Sequence, residues 1–582
     1  MASILLILTI LIPWLGALLV WAVGDRHPRA QHGLAVAFSL AAGLAALILI
    51  GFSSSKPVIN LPVGGVFGNF SFAADGLGVL LAAIATVIGS LAVIFSVDYM
   101  RGEAQLGRYY SFVLFFIGAM VGLVLTTSLL LMFVFWEITA LCSYALIAFH
   151  NDDPKAVAGG MKALIITQLG GVGLLAGALL LFVYQGNYDI PTFLLNPGAM
   201  PAGVLAAMAF GCLAAAAAKS AQFPFQTWLP DAMEAPTPIS ALIHAATMVN
   251  AGVYLLARFH PAFAQVPGWR VAVVAVGLLS ALLAAVMALL ANDLKRVLAY
   301  STVSQLGFMV YAIGAGSVMA SAFHLFSHSI FKALLFLAAG SVIHAAGTRD
   351  MRQMGGLGQQ MPFVRNVFII GALALAGLPV LNGFWSKEFI LEVGLEQGPL
   401  WGWLGMLLVA GLTALYTLRA TWLVFFGTPR SHLHAHDAGK AMKTALAPLA
   451  LGALVSWVAA GPFFHLLVET LPAHHLEAET TAELAITILK APVTWLAMAV
   501  VGLGVAAWVF RMRLGVVVKV FTFLAQAGRQ SFGFEAINRG IVSGTNRAAE
   551  WLRGSQTGAL NWNVFGILAG LAVVLAIVLG VR

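Results

Sequence analysis

Charge is what this sequence has least of. Lys, Arg, Asp and Glu together make up 9% of the 582 residues, whereas 61% of the residues are hydrophobic. An ordinary soluble domain is about 25% charged, so this chain lacks the polar side chains needed to cover a water-facing surface. The length alone would allow about three or four soluble domains. The composition instead predicts one all-α, membrane-embedded bundle.

Cysteine and nucleotide-binding motifs are also scarce. The two cysteines, Cys142 and Cys212, lie inside apolar segments and form no C-x-x-C pair, which argues against an iron–sulfur cluster or a zinc site in this chain. There is no P-loop and no strand–G-x-G-x-x-G–helix unit, so we expect no nucleotide site. The net charge of +8 is not arranged as a basic stripe interleaved with aromatic residues, and we do not expect nucleic acid as a partner.

What the sequence does have is a series of long apolar runs. Each is about 20 residues, the length that crosses ~30 Å of hydrocarbon as a helix, and backbone groups in lipid must be satisfied within the segment. The pattern predicts about 16 spans, the first of which is too long for a removable signal peptide and lacks a basic leader. The predicted spans are 3–23, 33–52, 73–97, 108–127, 128–149, 159–184, 203–220, 238–259, 270–291, 296–315, 317–344, 365–394, 402–426, 444–466, 492–511 and 561–580.

Basic residues alternate between the loops and predict an orientation. Because cytoplasmic loops carry the excess of Lys and Arg, the richer set is expected inside, with both termini outside a bacterial inner membrane. The richer set is Arg26, Arg29, Arg101, Arg108, Lys155, Lys162, Lys295, Arg296, Arg349, Arg352, Arg365, Arg430, Lys440 and Lys443. The poorer set is Lys56, Arg258, Arg270 and Lys490.

The stretch 512–556 differs from the apolar spans around it. Apolar residues recur there at helical spacing, with basic residues between them, which predicts an amphipathic helix lying along the cytoplasmic face. We expect interruptions at Gly528 and Gly533, and a final span anchors the far end. The alternative is an interfacial helix that touches only lipid. The basic residues are Arg511, Arg513, Lys519, Arg529, Arg539, Arg547 and Arg553.

Two loops have distinctive compositions. The segment 53–72 holds several glycines among short apolar stretches, and we predict a hairpin-like loop on the outside. The segment 430–443 contains three histidines and an aspartate. Metal binding is conceivable at that spacing, but we favour a solvated polar loop. The four residues are His432, His434, His436 and Asp437.

Several ionisable residues interrupt the apolar spans, where each charge at the membrane centre costs at least ~2.5–3.5 kcal/mol. Glu137, Lys219 and His244 each lie within or at the end of a predicted span. The alternative for Glu137 is a carboxylate paired for packing, and for His244 a structural histidine. Lys295 and Arg296 stand at a helix start and are interpreted as loop charges that set orientation.

A second group lies further along the chain. His324, His328 and Lys332 follow one another at four-residue spacing, which places all three on one helix face. Lys387 and Glu388 come shortly after Pro379. Three titratable groups stacked over about two turns fit a proton relay better than they fit simple packing.

Lys219 and Lys387 each lie near a proline that breaks a helix, Pro224 and Pro379 respectively. Broken helices in corresponding halves of a transporter point to inverted repeats and an ion site near the midplane. At such a break, freed carbonyl groups and water can solvate a charge. Moving Glu137 towards or away from Lys219 would then favour capture or release of a proton.

Three motifs give the chain a family resemblance. Residues 219–238 (KSAQFPFQTWLPDAMEAPTP), 241–252 (ALIHAATMVNAG) and 323–343 (FHLFSHSIFKALLFLAAGSVI) resemble the seventh-, eighth- and eleventh-helix motifs of antiporter-like subunits. The resemblance covers roughly residues 75–430. It is closest to the distal, chain 5 or L-type subunit of complex I, with features of the A subunit of Mrp antiporters.

The resemblance implies two inverted five-helix repeats with helices seven and twelve broken. We therefore expect N-terminal helices and the hairpin loop in 1–107, the repeats in 108–259 and 260–426, and additional helices in 427–511. The lateral helix would occupy 512–556 and the anchor 557–582. It also implies roles for the buried groups. Glu137 and Lys219 would form the first ion pair and His244 the bridge, with His324, His328 and Lys332 leading to Lys387 and Glu388.

The implied function is proton translocation by a subunit of a redox-driven quinone oxidoreductase. Iron–sulfur clusters, flavin and quinone would lie in partner subunits, and the other partners would be homologous antiporter-like subunits and the lipid bilayer. Mrp-type sodium/proton exchange, the membrane part of a bicarbonate-uptake complex, and a purely structural anchor are the alternatives. Two departures from the family pattern stand out: Gly171 where L-type subunits usually carry aspartate, and Asn250 where Mrp A subunits usually carry lysine.

Overall fold

Helices make up nearly all the regular structure in the computed structural model, which describes residues 2–431, 435–474, 476–510, 528 and 531–555. The chain separates into two compact units, Met1–Val517 and Val518–Arg582. The described part contains 14 helices long and apolar enough to cross a membrane. The predicted all-α polytopic class is confirmed, and the last predicted span, 561–580, lies outside the described residues.

The first half of unit 1 contains α1 (Ala2–Val23), α2 (Pro28–Phe52), α3 (Gly76–Tyr99), α4 (Leu106–Leu125), α5 (Leu129–Ile147), α6 (Pro154–Gln185), α7 (Ile190–Leu195), α8 (Ala202–Lys219), α9 (Trp228–Asp231), α10 (Thr237–Ala241) and α11 (Met248–Phe263). The rest contains α12 (Trp269–Leu290), α13 (Leu294–Ala315), α14 (Val318–Ala346), α15 (Pro362–Ala376), α16 (Asn382–Gln397), α17 (Leu400–Phe425), α18 (Lys440–Val455), α19 (Ala460–Thr470), α20 (Thr481–Lys490) and α21 (Pro492–Val509). Short 3-10 helices are Ser53–Ser55, Gly65–Phe67, Pro197–Ala199, Ala232–Glu234 and Ser456–Ala459.

The predicted hairpin-like loop is a two-stranded antiparallel sheet. Strand β1 (Val58–Pro62) pairs with β2 (Asn69–Ala73) in a register that places Val58 opposite Ala73. Glycines at positive φ make the turn, among them Gly64 at 80° and Gly68 at 63°, conformations that side chains rarely adopt. The carbonyl of Ser71 accepts the Thr127 N–H at 2.9 Å, which joins the hairpin to the α4–α5 connection.

Two spans are broken where the sequence predicts breaks. Helix α8 ends at Lys219, and Ala221 then takes a left-handed φ of 50°. The predicted span 365–394 is divided into α15 and α16, with Val380 at φ 77° between them. A Cβ atom at Gly383 would lie 2.0 Å from the Ala374 carbonyl oxygen, so only glycine permits this close approach of the two half-helices.

The span predicted at 238–259 contains a distortion that sequence reasoning missed. A π-helical turn, Leu242–Ala246, separates α10 from α11 and carries His244. Thr247 Oγ1 donates to the Leu242 carbonyl at 2.6 Å, and Asn250 Nδ2 donates to the Ala245 carbonyl at 2.9 Å. These polar side chains compensate for helical hydrogen bonds that the wider turn disrupts.

Arg258 corrects one sequence expectation. The sequence predicts that Arg258 lies in an outside loop, but it lies within α11, is 5% exposed and forms a bidentate ion pair with Asp75. Its Nη1 lies 2.5 Å from Asp75 Oδ2, and its Nη2 lies 3.0 Å from Oδ1. Tyr254 accepts a further bond from the guanidinium at 2.9 Å and donates to the Val124 carbonyl at 2.9 Å. The pair therefore ties α3 and α4 to α11.

The segment around the three histidines is anchored by Asp437. Its carboxylate accepts the backbone N–H groups of Phe363 and Val364, at 3.1 and 3.3 Å, at the start of α15. This is the usual role of an acidic residue at a helix N-terminus. His432 and His434 lie outside the described residues, so the expectation of a solvated loop there stays a prediction.

In unit 2, the described residues form the 3-10 turn Ser531–Gly533 and α22 (Phe534–Ser555). Phe532 and Gly533 have left-handed φ values of 51° and 85°, and α22 begins directly after them, next to the break that the sequence predicts at Gly533. Trp551 is 77% exposed. The rest of the predicted lateral helix, 512–556, and the anchor at 557–582 lie almost entirely outside the described residues.

We predict that Asp75→Asn lowers the stability of unit 1 by about 3 kcal/mol, since the change leaves a buried guanidinium without its counter-charge. The asparagine retains an acceptor for the N-cap bond to Gly78, so the loss reports the ion pair. Asp189→Asn is the matched control, because Asp189 caps α7 through Thr192 at a more exposed position. Thermal unfolding of the purified protein in detergent measures both. Equal, small shifts for the two variants would show that the Asp75–Arg258 pair contributes little.

Candidate functional site

The predicted ionisable residues face the inside of the bundle. Lys219, His244, His324, His328 and Lys332 are fully buried. Lys387 is 1% and Glu388 3% exposed, and Glu137 is half-buried. Side chains that pointed into lipid would be exposed in the isolated chain, so this burial places the polar groups among helices.

Lys219 is the last residue of α8 and reaches α5. Its Nζ donates to the Trp136 carbonyl at 2.7 Å and lies 5.0 Å from the centre of the Trp136 ring. Glu137, the next residue along α5, interacts with Lys219 electrostatically. Gln168 on α6 also interacts with this carboxylate, and none of the salt bridges among the described residues joins it to Lys219. The two groups are therefore neighbours in this structure but not a closed ion pair.

Gly171 on α6 lies directly against this carboxylate. A Cβ atom built there would be 2.6 Å from Glu137 Oε1, which is far closer than a nonbonded contact permits. The departure from the family's aspartate at this position thus has a steric consequence. The absent side chain leaves the space that the Glu137 carboxylate occupies.

His244 and Lys332 meet at one aromatic ring. The His244 ring centre lies 5.4 Å from that of Phe336, and Lys332 Nζ lies 5.2 Å from the same Phe336 centre. Within the part of the chain that the structure describes, neither ring nitrogen of His244 has a hydrogen-bond partner. A water molecule or a proton carrier is the natural partner for such groups.

The predicted ladder on α14 connects to α13 and α16. Lys332 Nζ donates to the Leu298 carbonyl at 2.8 Å and to Ser301 Oγ at 2.6 Å. His324 Nδ1 lies 2.9 Å from Ser386 Oγ, and its Nε2 lies 3.2 Å from Gln305 Oε1. The rings of His324 and His328 are 6.3 Å apart between centres, and in the described structure both His328 nitrogens lack partners.

Lys387, like Lys219, lies beside a helix break and donates to a main-chain carbonyl. Its Nζ donates to the Leu375 carbonyl at 2.7 Å, in the last turn of α15, and lies 5.6 Å from the Phe308 ring centre. Carbonyl groups at the end of a half-helix have no intrahelical donor, so they are available to an ammonium group. Glu388 follows directly, and its Oε2 is buried without a partner in the described residues.

Lys295 corrects a second sequence expectation. The sequence predicts a loop charge that sets orientation, but Lys295 is 3% exposed and donates from Nζ to the Ala235 carbonyl at 2.6 Å. Helical spacing would have revealed it, because Lys295, Thr302 and Gln305 share one face of α13. Arg349, which bonds Glu234 at 3.0 Å and Asp293 at 3.3 Å, holds the surrounding loops together.

Comparison with known proteins places this arrangement in a family. A family model described as NADH:quinone oxidoreductase/Mrp antiporter, TM, matches residues 126–413, and one described as NADH-Ubiquinone oxidoreductase (complex I), chain 5 N-terminus, matches residues 61–110. The chain is 38% identical to NADH-quinone oxidoreductase subunit L of Escherichia coli (strain K12) over 522 residues. That alignment covers 87% of this chain and 83% of the relative.

The chain belongs to the NADH:quinone oxidoreductase/Mrp antiporter family. It is also 40% identical to NAD(P)H-quinone oxidoreductase chain 5 of Synechocystis, in an alignment that covers 65% of this chain and 58% of that protein. The matched part therefore spans less than two thirds of that relative.

A solved structure in the same family superposes on nearly the whole chain. The Mrp complex from Dietzia contains a chain that aligns with a TM-score of 0.84 and 30% identity, covering 98% of this chain and 63% of the other. This likeness and the family models agree with the predicted membership of the complex I/Mrp superfamily.

We predict that Gly171→Ala is destabilising by no more than about 1 kcal/mol, because the new methyl group displaces the Glu137 carboxylate, which is the far end of a flexible side chain. Gly203→Ala is the control: a Cβ atom there meets nothing within 4 Å, and replacing an open helical glycine stabilises by up to about 1 kcal/mol. Thermal unfolding of the purified chain measures both. The double variant Glu137→Ala/Gly171→Ala is expected to recover most of the loss, so strictly additive effects would contradict the contact.

Proposed function

We propose that this chain is a proton-translocating, antiporter-like membrane subunit of a complex I-type oxidoreductase that uses NADH, ferredoxin or another donor to reduce quinone. The observation that carries the proposal is the line of buried ionisable groups through the bundle, with a lysine at each of two helix breaks. Membership of the family supports it. Iron–sulfur clusters, flavin and quinone are assigned to partner subunits, and this chain supplies the coupled proton movement.

The proposed mechanism begins at the first helix break. When the Glu137 carboxylate approaches Lys219, it stabilises the ammonium form of the lysine; when the two separate, the proton is released towards His244. Water is the carrier between groups that do not touch, and the unpartnered nitrogens of His244 and His328 suit that exchange. Lys332 and His324 then connect the relay to Lys387.

This mechanism assigns residue roles as proposals. Glu137 and Lys219 form the capture and release pair, and His244 bridges to the second half. His324, His328 and Lys332 relay the proton to Lys387 and Glu388. The two proposed antiporter-like repeats span residues 108–259 and 260–426. The chain is proposed to lie in a bacterial inner membrane with both termini outside.

An Mrp-type sodium/proton antiporter subunit is the second candidate. The superposition on a chain of the Mrp complex over 98% of this chain favours it. Measuring proton transport in sodium-free medium separates the two functions. A redox-driven pump still moves protons without sodium, whereas sodium/proton exchange stops. The bicarbonate-uptake alternative has no such observation in its favour.

We predict that Lys219→Ala and Glu137→Ala each leave assembly largely intact and lower proton translocation by at least about tenfold, since groups that transfer protons contribute about 10²–10⁴-fold to rate. The native complex, reconstituted in vesicles with a pH-sensitive dye, gives the rate per electron transferred. Lys490→Ala, at the exposed end of α20, is the matched control. Full translocation by both assembled variants would refute the ion-pair assignment.

The segment from 514 onward is proposed to clamp a neighbouring antiporter-like subunit on the cytoplasmic side. Its apolar face needs burial, and helical glycines such as Gly540 and Gly544 weaken an isolated helix by roughly 1 kcal/mol each. We therefore predict that removing residues from 514 onward lowers the yield of assembled complex in native gels and lowers translocation. Normal assembly and normal translocation by the truncated chain would show that the clamp idea is wrong.

A further inference from the structure

Helix α16 carries a row of carboxylates beyond the proposed relay. Glu388, Glu392 and Glu396 follow at four-residue spacing, which puts them on one helix face, each about 6 Å further along the axis. The row begins beside Lys387 and ends in the last turn of the helix, at Gln397. It therefore leads away from the buried lysine towards the end of α16.

Burial falls steadily along this row. Glu388 is 3% exposed, Glu392 is half-buried and Glu396 is exposed. Glu388 Oε2 and Glu392 Oε2 are both buried and have no hydrogen-bond partner among the described residues. The row thus connects the interior of the bundle to its surface through acidic groups whose oxygens can accept a proton or a hydrogen bond.

A second element completes the row. Glu479, in the connection between α19 and α20, interacts electrostatically with Glu396, Glu477 and Glu483, and with Glu392 on α16. Burial raises the pKa of Glu479, and the neighbouring carboxylates raise it further. Glu479 Oε2 is itself buried without a partner in the part of the chain that the structure describes.

Charges that could neutralise this row are few. Lys387 interacts with Glu388 at the inner end, and His465 interacts with Glu483 at the outer end. None of the salt bridges between described residues involves Glu388, Glu392, Glu396 or Glu479. Closely spaced carboxylates without cations favour states in which some of them hold a proton.

The row opens on the same face as the β-hairpin. Immediately before the Glu479 connection, Thr470 Oγ1 accepts the Gly76 N–H at 2.6 Å, and Glu469 accepts the Ser54 hydroxyl at 3.2 Å. Both contacts join the end of α19 to the residues that flank the hairpin. The basic-residue count predicts that this face is on the outside.

We infer that Glu388, Glu392, Glu396 and Glu479 form the release path along which a proton leaves Lys387 for the outer face; the inference rests on the proposed function. The proton leaves Lys387 Nζ as one N–H bond breaks and an O–H bond forms on the Glu388 carboxylate. Each later transfer breaks one O–H bond and forms another, directly or through water, until Glu396 or Glu479 yields the proton to solvent. Every carboxylate returns to its starting charge, so no other reactant is needed.

The test is the double variant Glu392→Gln/Glu479→Gln in the assembled complex, reconstituted in vesicles. We expect the rate of proton translocation to fall about tenfold, as for the loss of other proton-transfer groups, with an unchanged apparent Tm because glutamine keeps the shape of glutamate. The single variant Glu392→Asp, with Glu479 unaltered, keeps a carboxylate at this position and is expected to retain most of the rate of proton translocation. Glu469→Gln, an exposed acid on the same face, is the matched control and should translocate normally.

The outcomes separate this inference from the proposed function. If Lys219→Ala abolishes translocation while the double variant runs at the normal rate, the release path is wrong and the proposed function stands. If the unaltered complex moves no protons, the proposed function fails and the path fails with it. Sodium-dependent transport, with sodium binding lost in the double variant, would overturn the proton path in favour of a cation site.

Discussion

A buried ammonium group needs an oxygen atom to accept its hydrogen bonds, and in this chain main-chain carbonyls supply it. Four buried lysines share the arrangement: Lys219 bonds Trp136, Lys295 bonds Ala235, Lys332 bonds Leu298 and Lys387 bonds Leu375, at 2.6 to 2.8 Å. A carboxylate in the same place would hold the lysine in its charged form. A neutral carbonyl accepts a bond from an amine as well as from an ammonium group, so the lysine is supported in both protonation states.

A helix break supplies this acceptor for Lys387, whereas Lys219 and Lys332 bond carbonyls within the continuous helices α5 and α13. An interior carbonyl already accepts a backbone bond and shares its oxygen with the lysine, whereas the last four carbonyls of each helix have no intrahelical donor. Leu375 lies in the last turn of α15, one residue before the helix ends, and Lys387 on the next half-helix reaches back to it. The break, the lysine and the carbonyl therefore form one unit, and Gly383 permits the close crossing that completes it.

The burial of most of the candidate residues could be predicted because polar residues within apolar runs are conspicuous. Glu137, Lys219, His244, the α14 ladder and Lys387 were all recognised by their apolar surroundings or their spacing. Lys295 and Arg258 were missed for the same physical reason, since each lies near the end of a span, where a sequence pattern cannot separate a solvated charge from one that turns inward. The packing of α13 on the Ala235 loop turns Lys295 inward, and the packing of α3 on α11 does the same for Arg258.

The π turn around His244 was beyond sequence reasoning, because threonine and asparagine side chains that bond the carbonyl five residues earlier leave no distinctive pattern in the sequence. Such a turn holds one residue more than an α-helical turn. Relaxing it to α geometry would turn everything on one side of it by about 100° around the helix axis, the angle that one residue subtends. The imidazole at its centre would then face a different neighbour, so a change of hydrogen-bond register would redirect the group.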